Sequence, residues 1–279
     1  MNTIHSNSSP IGVFDSGYGG LTILNELRTQ LPEYDFIYLG DNARAPYGSR
    51  SFELVYEFTL EAVRYLFSQG CELVILACNT ASAKALRTIQ QQILSVEFPN
   101  KRVLGVIRPS AEKMDGITQS NHIGILATEG TVKSESYVLE IQKLFPEIVV
   151  HQHACPLWVS LIENGKHDSE AGKVFIQEDV KLLLEKDSKI DTIILGCTHY
   201  PILESYLKTI VPPHIQLIAQ GPIVAESLKK YLTRHPWLDI KCAKNGSTRF
   251  LTTENKLVFD QQASQIVGYS IQSEQIHLG

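Results

Sequence analysis

Two cysteines stand where a buried apolar run gives way to a polar turn. Cys78 follows LVILA at 73–77 and opens the segment CNTAS, and Cys197 follows TIILG at 192–196 and opens CTHYP. A thiol at a strand-to-helix turn lies near backbone N–H groups and a helix N-terminus, which favour its thiolate and lower its pKa. Two thiols facing one carbon can invert it, since one removes a proton and the other delivers one to the opposite face. We expect their sulfurs about 6–7 Å apart, because reacting atoms stand roughly 3–3.5 Å apart at attack.

Other polar residues follow the ends of predicted strands in the same way, and ligands of open α/β sheets bind at those ends. The set comprises Asp15, Ser16, Gly17, Asp41, Asn79, Thr80, Thr128, Thr198 and His199. His199 can assist Cys197 in proton transfer, because imidazole titrates near neutrality. Asp15 is an acid that can lie beside Cys78.

Each of these residues taken alone also has a structural explanation. A cysteine can be a small buried side chain, which is what we expect of Cys71 and Cys242. His199 can be a structural histidine, and Asp15 can cap the helix that follows it. The occurrence of two cysteines in matching turns, Cys78 and Cys197, favours chemistry over packing.

Motifs for other chemistries are missing from the sequence. SGYGG at 16–20 fits neither the dinucleotide-binding nor the P-loop pattern, and no Walker lysine follows it. The five cysteines form no CxxC pair, which argues against a zinc site. GxSxG is absent too, and nothing requires a Schiff-base lysine. We therefore expect no cofactor and no metal.

Composition is that of a folded enzyme rather than of a membrane or nucleic-acid-binding protein. The chain has 279 residues, of which 43% are hydrophobic and 20% charged, and its formal net charge is −5. This acidic balance argues against a nucleic-acid partner. No apolar run of about 18 residues predicts a membrane span. Residues 1–10 lack the features of a secretory signal, so we expect a short disordered leader and a cytoplasmic location.

The chain alternates short apolar strands with helices, which is typical of parallel sheets covered on both faces. The predicted strands are 11–15, 36–40, 73–77, 102–107, 122–127, 147–153 and 192–196. The predicted helices follow Gly20, cover 51–69, begin near Thr80 and Thr131, and cover 171–186. The tail from Arg249 reads as a strand and then a helix that completes one domain.

The two halves of the chain resemble each other. Residues 12–15 match 124–127 at an offset of 112, and residues 73–82 match 192–201 at an offset of 119. Two offsets of similar size indicate an ancient duplication and two pseudo-symmetric α/β domains. Chance similarity between hydrophobic strands remains the alternative.

The motifs FDSGYGGL, APYG, ACNTAS, ATEGTV and GCTHYP follow one another in this order. Together they resemble the cofactor-independent glutamate racemases of bacterial cell-wall synthesis, over about residues 11–268. The resemblance implies two mostly parallel α/β domains with the active site in the cleft between them. It implies a small-molecule substrate, glutamate, which is interconverted between its L and D forms for peptidoglycan, with a homodimer as the candidate assembly.

The resemblance also implies roles for single residues. Cys78 and Cys197 would be the two acid/base residues, with Asp15 assisting the first and His199 and Glu163 the second. Substrate contacts would come from Asp15, Ser16, Tyr47, Gly48, Asn79, Thr80, Thr198 and His199, with Thr128 and Thr131 in the same pocket.

The layout of the family implies one domain from 1–107 plus 219–279 and a second from 108–218. Two stretches depart from the family pattern, and they lie where the chain crosses between the domains. They are Arg108 in GVIRPS and the segment AQGPIVA at 219–225.

Two other functions stay open at this point. One is a racemase of aspartate or another small amino acid. The family resemblance favours glutamate, since the aspartate enzymes tend to carry Glu where this chain has His199. The other is a clamshell that binds a small ligand without reacting, for which the two cysteines would not be needed.

Overall fold

The computed structural model describes residues 9–279 as an α/β protein built on two parallel sheets. Its strands are β1 (Ile11–Asp15), β2 (Phe36–Gly40), β3 (Leu73–Leu76), β4 (Arg102–Gly105), β5 (His122–Ala127), β6 (Val149–Ala154), β7 (Thr192–Gly196), β8 (Gln216–Ile218), β9 (Thr248–Thr252) and β10 (Ser273–Gln275). Most of the predicted leader lies outside the described residues, while Ser9 pairs with Cys242 in an isolated bridge.

Helices connect almost every pair of strands. They are α1 (Gly20–Gln30), α2 (Phe52–Ser68), α3 (Asn79–Lys84), α4 (Leu86–Thr88), α5 (Ser95–Glu97), α6 (Ile107–Glu112), α7 (Glu129–Lys133), α8 (Ser136–Leu144), α9 (Trp158–Glu163), α10 (Glu170–Leu184), α11 (Glu204–Ile210), α12 (Gln220–Arg234), α13 (Pro236–Asp239) and α14 (Lys256–Val267). A π-helical segment, Ile89–Leu94, joins α4 to α5. Among the described helices, none is both long and apolar enough to cross a membrane.

The first sheet has the order β10-β9-β2-β1-β3-β4, and the second has the order β6-β5-β7-β8. All pairings within both sheets are parallel. The carboxyl ends of β1 and β3 lead into Asp15 and Cys78, and that of β7 leads into Cys197. The fold class predicted from the alternating pattern is therefore confirmed.

Each sheet is covered on both faces, which explains why its strands read as continuous apolar runs. On β1, Val13 packs into one core and Phe14 into the other. On β7, Ile193 and Ile194 divide in the same way between the two cores of the second sheet. Full burial of such a side chain stabilises the fold by about 1.5–3 kcal/mol.

The predicted strand 102–107 is too long. The strand β4 ends at Gly105, and Ile107 already begins α6. Pro109 is tolerated there, since the first turn of a helix has no N–H partners to lose. Val106 and Ile107 are buried all the same. An apolar run of this length does not separate strand from helix.

The remaining predicted elements lie within a few residues of the observed ones. Ser51 and Ser169 cap α2 and α10 through their side chains. The strand predicted at 147–153 is observed as β6. The junction predicted near 218–222 contains the end of β8 and the start of α12, with Pro222 in the first helical turn.

The division into 1–107 plus 219–279 and 108–218 stays a prediction. The membership of the strands supports it, since β1–β4, β9 and β10 form one sheet and β5–β8 form the other. The helix α12 packs closely along α1, which also places the segment after 219 with the first sheet.

Candidate active site

The turn after β3 places a buried thiol at the start of α3. Cys78 is 5% exposed and acts as the N-cap of this helix, where its Sγ accepts from the Ala81 N–H at 3.4 Å. The Ser16 hydroxyl lies 3.4 Å from the same sulfur. The side chain within hydrogen-bond distance of Cys78 is therefore a hydroxyl, while the predicted role of Asp15 beside this thiol stays a prediction.

The turn after β7 places the second thiol beside an imidazole. Cys197 Sγ lies 3.9 Å from His199 Nδ1, and His199 Nε2 is 2.9 Å from Glu163 Oε1. Glu163 is the last residue of α9. The turn leads into a 3₁₀ segment, Tyr200–Leu203, rather than directly into an α-helix. A thiol–imidazole–carboxylate chain can store and pass a proton.

Asp15 is fully buried and joins the two halves. Its carboxylate accepts from the Gly17 N–H at 2.9 Å and from the Thr198 hydroxyl at 3.3 Å. The Thr198 carbonyl accepts from the Thr22 hydroxyl at 3.0 Å. Asp15 thus holds the first strand end against the turn that carries Cys197.

Both thiols line one cavity of about 180 Å³ between the two sheets. Of the predicted site residues, the structure brings Ser16, Tyr47, Gly48, Cys78, Asn79, Thr80, Thr128, Glu163, Cys197, Thr198 and His199 to its wall. Asp15 and Thr131 lie behind the wall. The predicted sulfur-to-sulfur distance of about 6–7 Å stays a prediction.

Hydroxyl and backbone groups close one side of the cavity. The Thr80 hydroxyl lies 2.9 Å from that of Thr128, which caps α7, and Thr131 completes the cluster at 3.1 Å from Thr128. The Gly48 carbonyl accepts from the Gly130 N–H at 2.8 Å. These contacts join residues carried by the two sheets.

Tyr47 lies in the wall with its hydroxyl already engaged. It donates to the buried carboxylate of Asp41, which also accepts from Arg44 at 2.7 Å. Burial, followed by the negative charge of Asp41, raises the pKa of Tyr47. Tyr47 therefore remains a neutral phenol whose ring shapes the cavity.

Gly19 shows how closely the halves approach. A Cβ there would lie 2.4 Å from Thr198 Oγ1 and 2.5 Å from His199 Nδ1. Any other residue would displace the side chains of Thr198 and His199. Glycine at this position is therefore required by the close approach.

Burial controls the charge of the first thiol. It raises the pKa of Cys78 to about 12, and the negative charge of Asp15 adds to the effect. The expectation that the strand-to-helix turn lowers this pKa is wrong, since desolvation outweighs the Ser16 and Ala81 contacts. Burial also raises the pKa of Asp15, although the charge of His199 opposes it.

At the second turn, hydrogen bonds rather than burial decide the charge of the ionisable group. Burial disfavours a charge on His199, but its hydrogen bonds with Cys197 and Glu163 outweigh burial and raise its pKa to about 10. His199 is therefore protonated at neutral pH. A protonated imidazole at this place can stabilise negative charge that develops in the cavity during a reaction.

Sequence reasoning missed several residues of the site. Cys155, Pro156, Val159 and Ser160 line the cavity, and they come from the end of β6 and the start of α9. The position after a strand end was the available signal for Cys155. Gln220 was also missed as a partner of Asn79. Its Oε1 accepts a hydrogen bond from Asn79 Nδ2 at 2.6 Å. No local pattern reveals a contact between residues so far apart in the chain.

Known proteins match the chain over nearly its whole length. The family model described as Asp/Glu/Hydantoin racemase matches residues 21–228. The glutamate racemase of Enterococcus faecalis (strain ATCC 700802 / V583) is 38% identical over 278 residues, covering 98% of each chain.

Solved structures agree with this match. Glutamate racemase isoform RacE1 from Bacillus anthracis superposes with a TM-score of 0.88 at 36% identity, over 97% of this chain and 98% of that one. The enzyme from Francisella tularensis, solved in complex with D-glutamate, has a TM-score of 0.85 at 34% identity with the same coverage. The predicted resemblance is thereby confirmed, and the chain belongs to the Asp/Glu/Hydantoin racemase family of isomerases.

Proposed function

We propose that this protein interconverts L- and D-glutamate by two-thiol proton transfer at Cα, without a cofactor. The observation that carries the proposal is the single cavity lined by Cys78 from one sheet and by Cys197 from the other. The Francisella relative, whose structure holds D-glutamate, supports glutamate as the substrate.

The reaction needs one proton removed and one supplied. One thiolate accepts the Cα proton and becomes a thiol, while the electron pair of the broken C–H bond stays with Cα and its carboxylate. The other thiol donates its proton to the opposite face and becomes a thiolate. The two sulfurs thus exchange roles with each turnover, so the reverse reaction uses the same pair.

His199 is the group beside Cys197 that can carry a proton. His199 is positioned by Glu163 at 2.9 Å and contacts Cys197 at 3.9 Å. We assign to it the stabilisation of negative charge on this sulfur, with Glu163 holding the imidazole in place. Asp15 holds Thr198, and through it the backbone of the same turn.

Ionisation of the Cys78 thiol needs a nearby positive charge, which the substrate can supply. Burial and the charge of Asp15 keep this thiol protonated. A substrate ammonium group near Asp15 and Cys78 would offset that penalty, since an opposite charge within a few ångströms favours the ionised form. Ser16 contacts the same sulfur at 3.4 Å and supports its charge.

Donors on the wall suit the carboxylates of glutamate. Asn79, Thr80, Thr128 and Thr198 present amide, hydroxyl and backbone groups around the cavity. Preorganised donors of this kind stabilise the charge that develops on the carboxylate during proton removal. We assign these residues, together with Tyr47 and Gly48, to substrate binding.

We further propose that the two domains close over the substrate and that the D-glutamate formed supplies peptidoglycan synthesis in the cytoplasm. The contacts that support closure are the paired hydroxyls of Thr80 and Thr128 and the bond between Gly48 and Gly130. A dry, closed site strengthens electrostatic interactions with the developing charge.

Activity on purified protein tests the proposal. L-glutamate without added cofactor should lose optical rotation, and L-aspartate should be turned over far more slowly. Cys78→Ser should lower turnover about 10²–10⁴-fold. Turnover of aspartate in preference to glutamate would assign the other substrate, and ligand binding unchanged by Cys78→Ser without any wild-type turnover would identify a binding protein.

A further inference from the structure

Four buried polar side chains form a network behind the cavity wall. They are Asn79 of α3, Ser110 of α6, Tyr137 of α8 and Gln220 of α12, and each is at most 1% exposed. Of the four, Asn79 also lines the cavity. We call these residues the crossing network, because Ser110 and Gln220 lie at the two places where the chain passes between the sheets.

The crossing network allows one orientation of the Gln220 amide. Its Nε2 lies 3.3 Å from the Val106 carbonyl, 2.8 Å from Ser110 Oγ and 2.6 Å from the Tyr137 hydroxyl. A backbone carbonyl can only accept, and Ser110 already donates its own hydrogen to Val106. Nitrogen must therefore face this carbonyl, which turns Gln220 Oε1 towards Asn79.

The orientation of Gln220 fixes that of Asn79 in turn. Asn79 Nδ2 donates to Gln220 Oε1 at 2.6 Å, and Asn79 Oδ1 accepts from the Tyr137 hydroxyl at 2.7 Å. The oxygen of Asn79 is thus held by Tyr137. The second Nδ2 hydrogen is the donor that this amide keeps for a ligand, and a carboxylate is an acceptor that suits it.

The network also connects both crossings to the cavity wall. Val106 and Ser110 belong to the first crossing and Gln220 to the second, in the segment AQGPIVA that departs from the family pattern. Gln220 contacts residues at both crossings as well as Asn79. Its side chain therefore joins the pivot of the two domains to a wall residue next to Cys78.

We propose that Gln220 is a positioning residue that sets the Asn79 amide with its N–H towards a carboxylate of the substrate. Tyr137 completes the arrangement by holding Asn79 Oδ1. This inference rests on the proposed function in that it takes glutamate as the ligand. In this arrangement Gln220 fixes the orientation of the Asn79 amide and also links the two crossings to each other.

Two variants should release the Asn79 amide from its fixed orientation, each in a different way. In Gln220→Glu the Nε2 donor is lost, and Tyr137 turns its hydroxyl towards the new carboxylate instead of Asn79. Tyr137→Phe removes only the hydroxyl and keeps the ring, so it is the variant of choice if Gln220→Glu does not fold. Each should raise KM for glutamate about tenfold or more, because a hydrogen bond to a charged group is lost. The change in kcat should be smaller, as for a loss of uniform binding.

Arg108→Ala is the matched control. Arg108 lies at the first crossing but is 54% exposed and pairs with Glu112 and Glu140 at the surface. Its replacement should leave KM and kcat unchanged. A comparable rise in KM in this control would show that any change at a crossing disturbs the site.

A double-mutant cycle separates positioning from a structural role. If Gln220 acts through Asn79, adding Gln220→Glu to Asn79→Ala should raise KM no further. Equal effects in both backgrounds, or a lower melting temperature with unchanged KM, would overturn the inference.

The inference can fail separately from the proposed function. Wild-type turnover of glutamate tests the function. Hydrogen exchange of the Asn79 side-chain amide, followed by NMR, tests the network without any substrate. Exchange should be slow in the wild type and faster in Tyr137→Phe, and equal exchange rates would contradict the arrangement.

Discussion

The turns that carry Cys78 and Cys197 follow equivalent buried strands, but their surroundings have opposite electrostatics. Cys78 lies beside a hydroxyl and near the carboxylate of Asp15, and its pKa is raised to about 12. Cys197 lies beside His199, whose pKa is raised to about 10. A pseudo-symmetric scaffold thus holds two chemically different thiols.

The difference lies in the groups that surround each sulfur. On the Cys78 side, desolvation and a like charge keep the proton on sulfur. On the Cys197 side, the hydrogen bonds of His199 with Cys197 and Glu163 raise the pKa of the imidazole to about 10. The two turns thus differ in the groups beside each sulfur, which are a hydroxyl and a buried carboxylate at Cys78 and an imidazole at Cys197.

The largest expected effect comes from removing either thiol. Cys78→Ser and Cys197→Ser should each lower kcat/KM for glutamate about 10²–10⁴-fold, the contribution typical of one acid/base group. Initial rates from both enantiomers measure this. Because the enantiomers have equal free energies, kcat/KM must fall equally in the two directions. A variant that keeps the wild-type rate would break the two-thiol account.

Replacing His199 should have the next largest effect. His199→Asn removes the charge that stabilises Cys197 and should lower kcat/KM about a hundredfold. The effect should appear mainly in kcat, since His199 acts on proton transfer. Steady-state kinetics in both directions provide the measurement. An effect confined to KM would instead make His199 a substrate contact.

The pKa of His199 also predicts how stability depends on pH. Because the folded-state value of about 10 exceeds the ordinary 6.5, the stabilisation is fully present below about pH 6.5 and is lost as pH rises through 10. The free energy of unfolding should therefore fall more steeply across this window in the wild type than in His199→Asn. Denaturant unfolding at a series of pH values measures it, and parallel curves would contradict the raised pKa.

Glu163→Gln should act more mildly, since it leaves the imidazole in place. Loss of the carboxylate 2.9 Å from Nε2 should lower the pKa of His199 and reduce kcat about tenfold. A pH profile of kcat should show its alkaline limb moved to lower pH. An unchanged profile would leave Glu163 with only a structural role.

The smallest effect is expected at a cysteine outside the cavity. Cys242 is buried in the core of the first sheet, so Cys242→Ala should cost about 1 kcal/mol of unfolding free energy. Its kcat/KM should equal that of the wild type. Reduced activity would show that loss of any thiol disturbs the enzyme, which would weaken the interpretation of the Cys78 and Cys197 variants.

Local patterns were sufficient to predict most of the strands and the two thiol-bearing turns. The apolar runs before Cys78 and Cys197 are buried parallel strands, and such strands can be recognised in a sequence as continuous hydrophobic runs. The end of β4 could not be predicted, because burial of Val106 and Ile107 is compatible with either strand or helix. The short strand β8 and the helix α12 were also missed.

Contacts between distant residues set the remaining features of the site. Asp15 could be placed at a strand end, but its bond to Thr198, 183 residues away, follows from the approach of the two halves. The raised pKa of Cys78 likewise depends on packing that removes water, which no spacing of residue types reveals. The partnership of Gln220 with Asn79 spans 141 residues and depends on both crossings.

Deuterium incorporation tests the two-thiol account most directly. L-glutamate would be converted in D₂O and both enantiomers analysed by NMR and mass spectrometry at early times. Two thiols on opposite faces predict that the D-glutamate formed carries deuterium at Cα while the remaining L-glutamate keeps its protium. Protium retained in the product, or deuterium entering the L-glutamate faster than D-glutamate forms, would contradict it.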